Sequence, residues 1–95
     1  MNLLITGAWK CTESDIAHFK ALGYSVYFMQ NETDELPLSY EEVEAVICNG
    51  LFVYHDISKF TNLRLIQLTS AGFDRVPMEY ADANNIVVHN AKGVY

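Results

Sequence analysis

Residues 2–7 read Asn-Leu-Leu-Ile-Thr-Gly, a short apolar run that a glycine closes. A run of this length without polar alternation is typical of a strand that is buried on both faces of a parallel sheet. Four further short strands are predicted, at residues 25–29, 45–48, 64–68 and 86–88. The sequence therefore predicts five strands, each only a few residues long.

Helical segments are predicted between these strands. Thr12 and Ser14 offer caps for the first helix, and Gly23 closes it. Its apolar face is predicted to consist of Ile16, Phe19 and Leu22. Shorter helical segments are predicted from Pro37 to Val43, at residues 55–60 and after Pro77. This alternation predicts an α/β fold, a flavodoxin-like five-stranded parallel sheet of order 2-1-3-4-5 with helices on both faces.

Composition and charge limit the partners that the chain can have. Its 95 residues, of which 51% are hydrophobic, suit one packed domain. Twelve Asp and Glu against six Lys and Arg give a net charge of -6. This charge repels phosphate backbones and anionic lipids, so neither nucleic acid nor a membrane is expected as a partner. No signal peptide or long apolar span is found in the sequence, and a cytoplasmic location is expected.

An acidic stretch occupies the middle of the chain. Residues 21–58 contain no Lys or Arg. The acidic residues that crowd this stretch are Glu32, Asp34, Glu35, Glu41, Glu42 and Glu44. We interpret them as solvated side chains near a helix start, which the helix dipole favours. A metal site or a basic partner is the alternative.

The loops that follow strands one, three and four are the expected ligand-binding elements, since ligands of open parallel sheets bind beyond the carboxyl ends of the strands. These loops are residues 6–10, 49–52 and 70–73. Their small residues allow a ligand to reach backbone N–H groups, which can hold an anion. Alternatively, Gly50 and Gly72 serve turn geometry alone.

Nucleotide-binding and phosphate-binding motifs are not found in the sequence. The five glycines, at positions 7, 23, 50, 72 and 93, form neither GxGxxG nor a Walker A loop. Thr6-Gly7 only partly matches the phosphate loop of flavodoxins, and flavin binding is kept as a minor alternative.

Histidines and cysteines give no catalytic or metal-binding set. His55 stands beside Asp56, but neighbours in sequence point in different directions, so we interpret this pair as surface polarity. His18 and His89 complete no triad and no ligand set. Cys11 and Cys48 fit no CxxC spacing and are predicted to be reduced structural thiols. We predict no catalytic residue and no metal ligand in this chain.

Two segments in the last third of the chain carry a paired motif. Residues 63–77 contain an S-x-G-x-D turn, and residues 83–93 contain a strand ending in Asn with a glycine three residues on. The motif positions are Ser70, Ala71, Gly72, Asp74, Asn90 and Gly93. With this pair the chain resembles the NAD-dependent D-isomer-specific 2-hydroxyacid dehydrogenases, which include phosphoglycerate dehydrogenase and glyoxylate/hydroxypyruvate reductase.

The resemblance implies that the chain is part of the substrate domain of an oxidoreductase that interconverts a D-2-hydroxy acid and a 2-keto acid. By position, the N–H groups of Ala71 and Gly72 would bind the substrate carboxylate, beside Ser70. Help would come from the loop Gly50, Leu51 and Phe52. Such binding needs no local cation, which suits a chain with no basic residue near position 50 in sequence.

The resemblance also implies what residues 1–95 leave out. In this family the loop that binds NAD or NADP, the arginine that clamps the acid and the Glu–His pair lie downstream. Residues 1–95 are thus expected to be an incomplete substrate domain without the nucleotide-binding domain, with no bound cofactor and no turnover alone. A helix from the far end of the full chain usually covers this domain, so exposed apolar surface is expected. The full-length family is typically homodimeric. The alternative is a free-standing binding module without catalysis.

Overall fold

The structure is a computed structural model that describes residues 1–10, 12–70, 72–73 and 75–90. Its strands are β1 (Asn2–Thr6), β2 (Ser25–Met29), β3 (Ala45–Cys48), β4 (Leu65–Leu68) and β5 (Val87–His89). All of them pair in parallel, in the order β2-β1-β3-β4-β5. The predicted fold class and strand order are confirmed, with bounds that differ by at most one residue at each end.

Within the described residues, three helices and two single turns of 3-10 helix connect these strands. The helices are α1 (Glu13–Ala21), α2 (Leu51–Tyr54) and α3 (Met78–Ala83), and the 3-10 turns are Tyr40–Glu42 and Ile57–Lys59. Thr12 caps α1 as predicted, since its hydroxyl accepts from the N–H of Asp15 at 3.2 Å while its own N–H donates to the Asp15 carboxylate at 3.0 Å. Gly23 follows the helix with a left-handed φ of 96°, a conformation that suits glycine.

One face of the sheet is closely packed. Alternate strand residues such as Leu4, Val46 and Ile66, all fully buried, point to this face. Helices α2 and α3 and both 3-10 turns cover them, and Phe60 lies between the rings of Tyr40 and Phe52 at centroid distances of 5.0 and 5.3 Å. Most of the described core therefore lies on this side of the sheet.

The opposite face is more open. Its buried residues are Leu3, Ile5 and Ala45, against which Phe19 of α1 packs. Leu22, predicted to belong to the apolar face of α1, is instead 62% exposed, because the helix ends at Ala21 and Leu22 is its cap. An apolar groove remains on this face, and its lining includes Leu3, Phe19, Tyr24, Ala45, Ile47 and Leu65.

Candidate functional site

The loops after β1, β3 and β4 lie at one edge of the sheet, as the parallel pairing requires. From β1 the chain crosses to β2 on one side, whereas β3 pairs with β1 on the other. The direction of winding therefore reverses between β1 and β3, which is where ligands bind in open α/β sheets. The turn after β4 lies beside the end of β3, since the N–H of Thr69 donates to the carbonyl of Cys48 at 3.0 Å.

A glutamate from the loop after β2 occupies this switch point. The N–H of Gly50 donates to Oε1 of Glu32 at 2.8 Å, and the N–H of Asn49 donates to Oε2 at 2.8 Å. The hydroxyl of Thr6, at the end of β1, donates to the same Oε2 at 2.8 Å. We call these three donors the carboxylate cradle. Glu32 is therefore not one of the solvated acids that the sequence led us to expect, because its carboxylate points at the sheet edge.

Gly7 lets the loop that carries Glu32 pass close to β1. Its N–H donates to the carbonyl of Met29 at 2.8 Å. A Cβ atom at Gly7 would overlap the carbonyl oxygen of Gln30, so this position tolerates only glycine without a shift of the loop. The close approach brings Glu32 within reach of Thr6.

His55 holds the backbone of Glu32 from the other side. It is 8% exposed, so its interpretation as surface polarity is wrong. Its Nε2 lies 2.8 Å from the carbonyl oxygen of Glu32, and its Nδ1 lies 2.9 Å from the hydroxyl of Tyr40. A carbonyl can only accept, so Nε2 carries a proton in this contact, and Nδ1 shares a hydrogen bond with the Tyr40 hydroxyl. Sequence reasoning missed this contact because the partners lie 15 and 23 residues away.

The predicted substrate loop after β3 is not an open loop. Leu51 and Phe52 begin α2, and their side chains are buried in the core at 0% and 9% exposure. The N–H of Gly50 already has the Glu32 carboxylate as its acceptor. A substrate acid could use this amide only by displacing Glu32, so the structure leaves the turn after β4 as the more accessible of the two.

The turn after β4 is exposed at residues 72 and 73. Ser70 is half-buried, and its hydroxyl donates weakly to the carbonyl oxygen of Gly72 at 3.4 Å. Gly72 itself is exposed. Ala71, predicted to bind the carboxylate together with Gly72, lies outside the described residues, as do Asp74 and Gly93 of the same motif. Asn90 is half-buried, and its carbonyl accepts from Gln67 at 3.3 Å.

The side chain of Arg75 passes close to the site although no basic residue is near position 50 in sequence. Cδ of Arg75 is 3.6 Å from the position that a Cβ on Gly50 would take. The expectation of no basic residue near position 50 thus holds along the chain but not in space. Beside it, Oδ1 of Asn49 is buried and has no hydrogen-bond partner among the described residues.

Cys48 ends β3 beneath the cradle and is a buried free thiol, as predicted. Burial raises its pKa from 9.0 to about 12, and the nearby charge of Glu32 adds to the rise. The thiol is therefore a protonated packing group, not a nucleophile. The prediction for Cys11 lies outside the described residues.

The described residues bring together no cluster of three or more His, Cys, Asp or Glu side chains that could hold a metal ion. Within the same residues, no helix is long and apolar enough to cross a bilayer. What the edge offers chemically is N–H and O–H donors, which bind and orient an anion but do not transfer a proton.

The strand order and the donor-rich carboxyl edge define a doubly wound α/β domain. A family model described as "D-isomer specific 2-hydroxyacid dehydrogenase, catalytic domain" matches residues 3–95. The chain therefore belongs to the D-isomer specific 2-hydroxyacid dehydrogenase family.

Among solved structures, the chain is similar to phosphoglycerate dehydrogenase from Lactobacillus plantarum, with a TM-score of 0.66 and 17% sequence identity. The match covers 97% of this chain and 29% of that enzyme, so this chain spans less than a third of its length. At this identity the likeness supports the fold alone. No significant match is found among curated proteins.

Proposed function

We propose that this chain is a portion of the substrate domain of a D-2-hydroxyacid dehydrogenase and that it binds the carboxylate of a 2-keto or 2-hydroxy acid at the turn after β4. The N–H groups of Ala71 and Gly72 hold the carboxylate, beside Ser70. The observation that carries this proposal is the exposure of Gly72 at the carboxyl edge in a chain that matches the family over residues 3–95.

The turn after β4 is favoured over its neighbour for a physical reason. Both turns end a buried parallel strand and both contain glycine, but the amides at Asn49 and Gly50 already donate to Glu32 at 2.8 Å. Displacing that carboxylate would exchange one anion for another with no gain in hydrogen bonds. An incoming acid therefore gains most at the turn that contains Gly72.

Hydride transfer belongs to another part of the proposed full-length enzyme. NAD or NADP supplies or accepts the hydride in this proposal. The residues of this chain do not fit a dinucleotide, since its five glycines form no GxGxxG and the amide pair at the switch point holds Glu32. We propose that residues 1–95 orient the acid and do not turn it over alone, and that the full-length enzyme is a homodimer.

Binding is tested by ligand-observed NMR with glyoxylate, pyruvate and hydroxypyruvate. We expect Gly72→Val to abolish binding, because a branched side chain takes the place of the anion and restricts the turn. Ala71→Gly is the matched control and should retain binding, since its N–H group remains. Unchanged affinity in a folded Gly72→Val variant would contradict the assignment.

Catalysis is tested by incubating the chain with glyoxylate and NADH and following absorbance. We expect no oxidation of NADH above the rate without protein. Turnover by this chain would show that the proton-transfer and nucleotide-binding groups lie within it. The proposal that residues 1–95 only orient the acid would then be wrong.

A further inference from the structure

The contacts of Glu32 are those of a ligand in a binding site. Its two carboxylate oxygens accept three hydrogen bonds of 2.8 Å, from the hydroxyl of Thr6 and the N–H groups of Asn49 and Gly50. Hydrogen bonds to an ionised acceptor at this length are among the stronger ones in proteins. The three donors come from the ends of β1 and β3, so the side chain joins the loop after β2 to the ends of two strands.

The donor set distinguishes a carboxylate from its neutral isostere. Oε1 and Oε2 must both accept, because each faces a backbone N–H. A glutamine has one oxygen and one NH2 group, so one backbone N–H would face another donor. The cradle therefore selects for an acceptor pair and not merely for a side chain of this size.

The backbone of the same residue is also held. The carbonyl oxygen of Glu32 lies 2.8 Å from Nε2 of His55, whose Nδ1 lies 2.9 Å from the hydroxyl of Tyr40. His55 is buried. Glu32 is thus held both by its side-chain carboxylate and by its backbone carbonyl. These contacts together keep the carboxylate in the cradle.

We propose that Glu32 is a positioning residue that acts as a built-in carboxylate ligand: it keeps the cradle of Thr6, Asn49 and Gly50 filled, fixes the turn that leads into α2, and excludes small organic acids from the switch point. The consequence for substrate, that its carboxylate binds at the turn containing Gly72 alone, rests on the proposed function. The inference that Glu32 fills the cradle does not depend on the proposed function.

The test uses formate as a free carboxylate on two variants of the chain. Glu32→Gly empties the cradle, and Glu32→Gln fills it with a side chain of nearly equal size. We expect the amide resonances of Asn49 and Gly50 to shift in both variants. Formate should return them toward their wild-type positions in Glu32→Gly, whereas sodium chloride at equal ionic strength should not. Glu32→Gln should not respond, because its side chain blocks the site.

Two results would overturn the inference. Wild-type amide positions in Glu32→Gln would show that bulk suffices, and an absence of any formate effect in folded Glu32→Gly would show that the donors do not form a carboxylate site. Should the glycine variant fail to fold, Glu32→Gln decides through the first of these results.

The same samples separate this inference from the proposed function. When glyoxylate is added to the wild-type chain, the amide of Gly72 reports substrate binding, while Asn49 and Gly50 report the cradle. A silent Gly72 together with formate rescue of Glu32→Gly refutes the substrate assignment and supports the cradle. A shift of the Gly72 amide without formate rescue of Glu32→Gly supports the substrate assignment and refutes the cradle.

Discussion

The turns that follow β3 and β4 lie side by side at the carboxyl edge, but they differ in how far the rest of the chain closes them. In the turn after β3, Asn49 and Gly50 donate to the chain's own Glu32, and Leu51 and Phe52 then enter the core. In the turn after β4, Gly72 is exposed to solvent. The comparison shows that a glycine-containing turn at the right edge is not by itself a free anion site, because a distant side chain can occupy it first.

The largest expected effect tests whether the turn after β3 is part of the core. Leu51 is fully buried in α2. Leu51→Ala should lower the free energy of unfolding by about 3 kcal/mol, since it removes buried methyl groups and leaves a cavity. The neighbouring Val53, 60% exposed, is the control, and Val53→Ala should cost less than about 0.5 kcal/mol. Equal midpoints in urea for the two variants would contradict the packing of this turn.

A smaller effect tests the hydroxyl of the cradle. Thr6 is fully buried and donates to Glu32 at 2.8 Å. Thr6→Val should lower the free energy of unfolding by about 2 kcal/mol, the contribution of a hydrogen bond to a charged group. Thr6→Ser keeps the hydroxyl and loses one methyl group, at a cost of about 1 kcal/mol. Urea denaturation in which the serine variant is the less stable of the two would argue against this hydrogen bond.

The dependence of the free energy of unfolding on pH in alkali tests the burial of Cys48 beneath the cradle. Its pKa is raised to about 12 in the folded chain, so in alkali the unfolded chain loses the thiol proton first and stability falls as pH rises above the ordinary value of 9.0. Between about pH 8 and about pH 10 the wild type should lose about 1 kcal/mol more than Cys48→Ala. Parallel pH profiles from urea denaturation would show that the thiol is not buried as described.

The strands could be predicted from sequence because each is a compact apolar run between breakers. Residues 2–6 and 45–48 carry this signal locally, and burial on both faces of a parallel sheet produces it directly. Helix α2 was missed because it is four residues long, and the Asn49-Gly50 pair before it favours a turn. Short helices depend on packing and have little signal of their own.

The contacts of the site could be predicted only in part. Its edge follows from the parallel order, and the family motif marks the turn that contains Gly72. Glu32 could not be distinguished, because it is one of several acids in the same stretch and nothing local indicates that its carboxylate reaches Thr6 and Gly50. The same is true of His55, whose partners are brought near by the fold of the sheet.

The most direct test of the account follows both turns in one experiment, a titration of the isotope-labelled wild-type chain with glyoxylate. We expect the amide resonance of Gly72 to move saturably, while those of Asn49 and Gly50 stay in place because Glu32 holds them. Movement of Asn49 and Gly50 with a stationary Gly72 would contradict the account, since the acid would then bind at the switch point in place of Glu32.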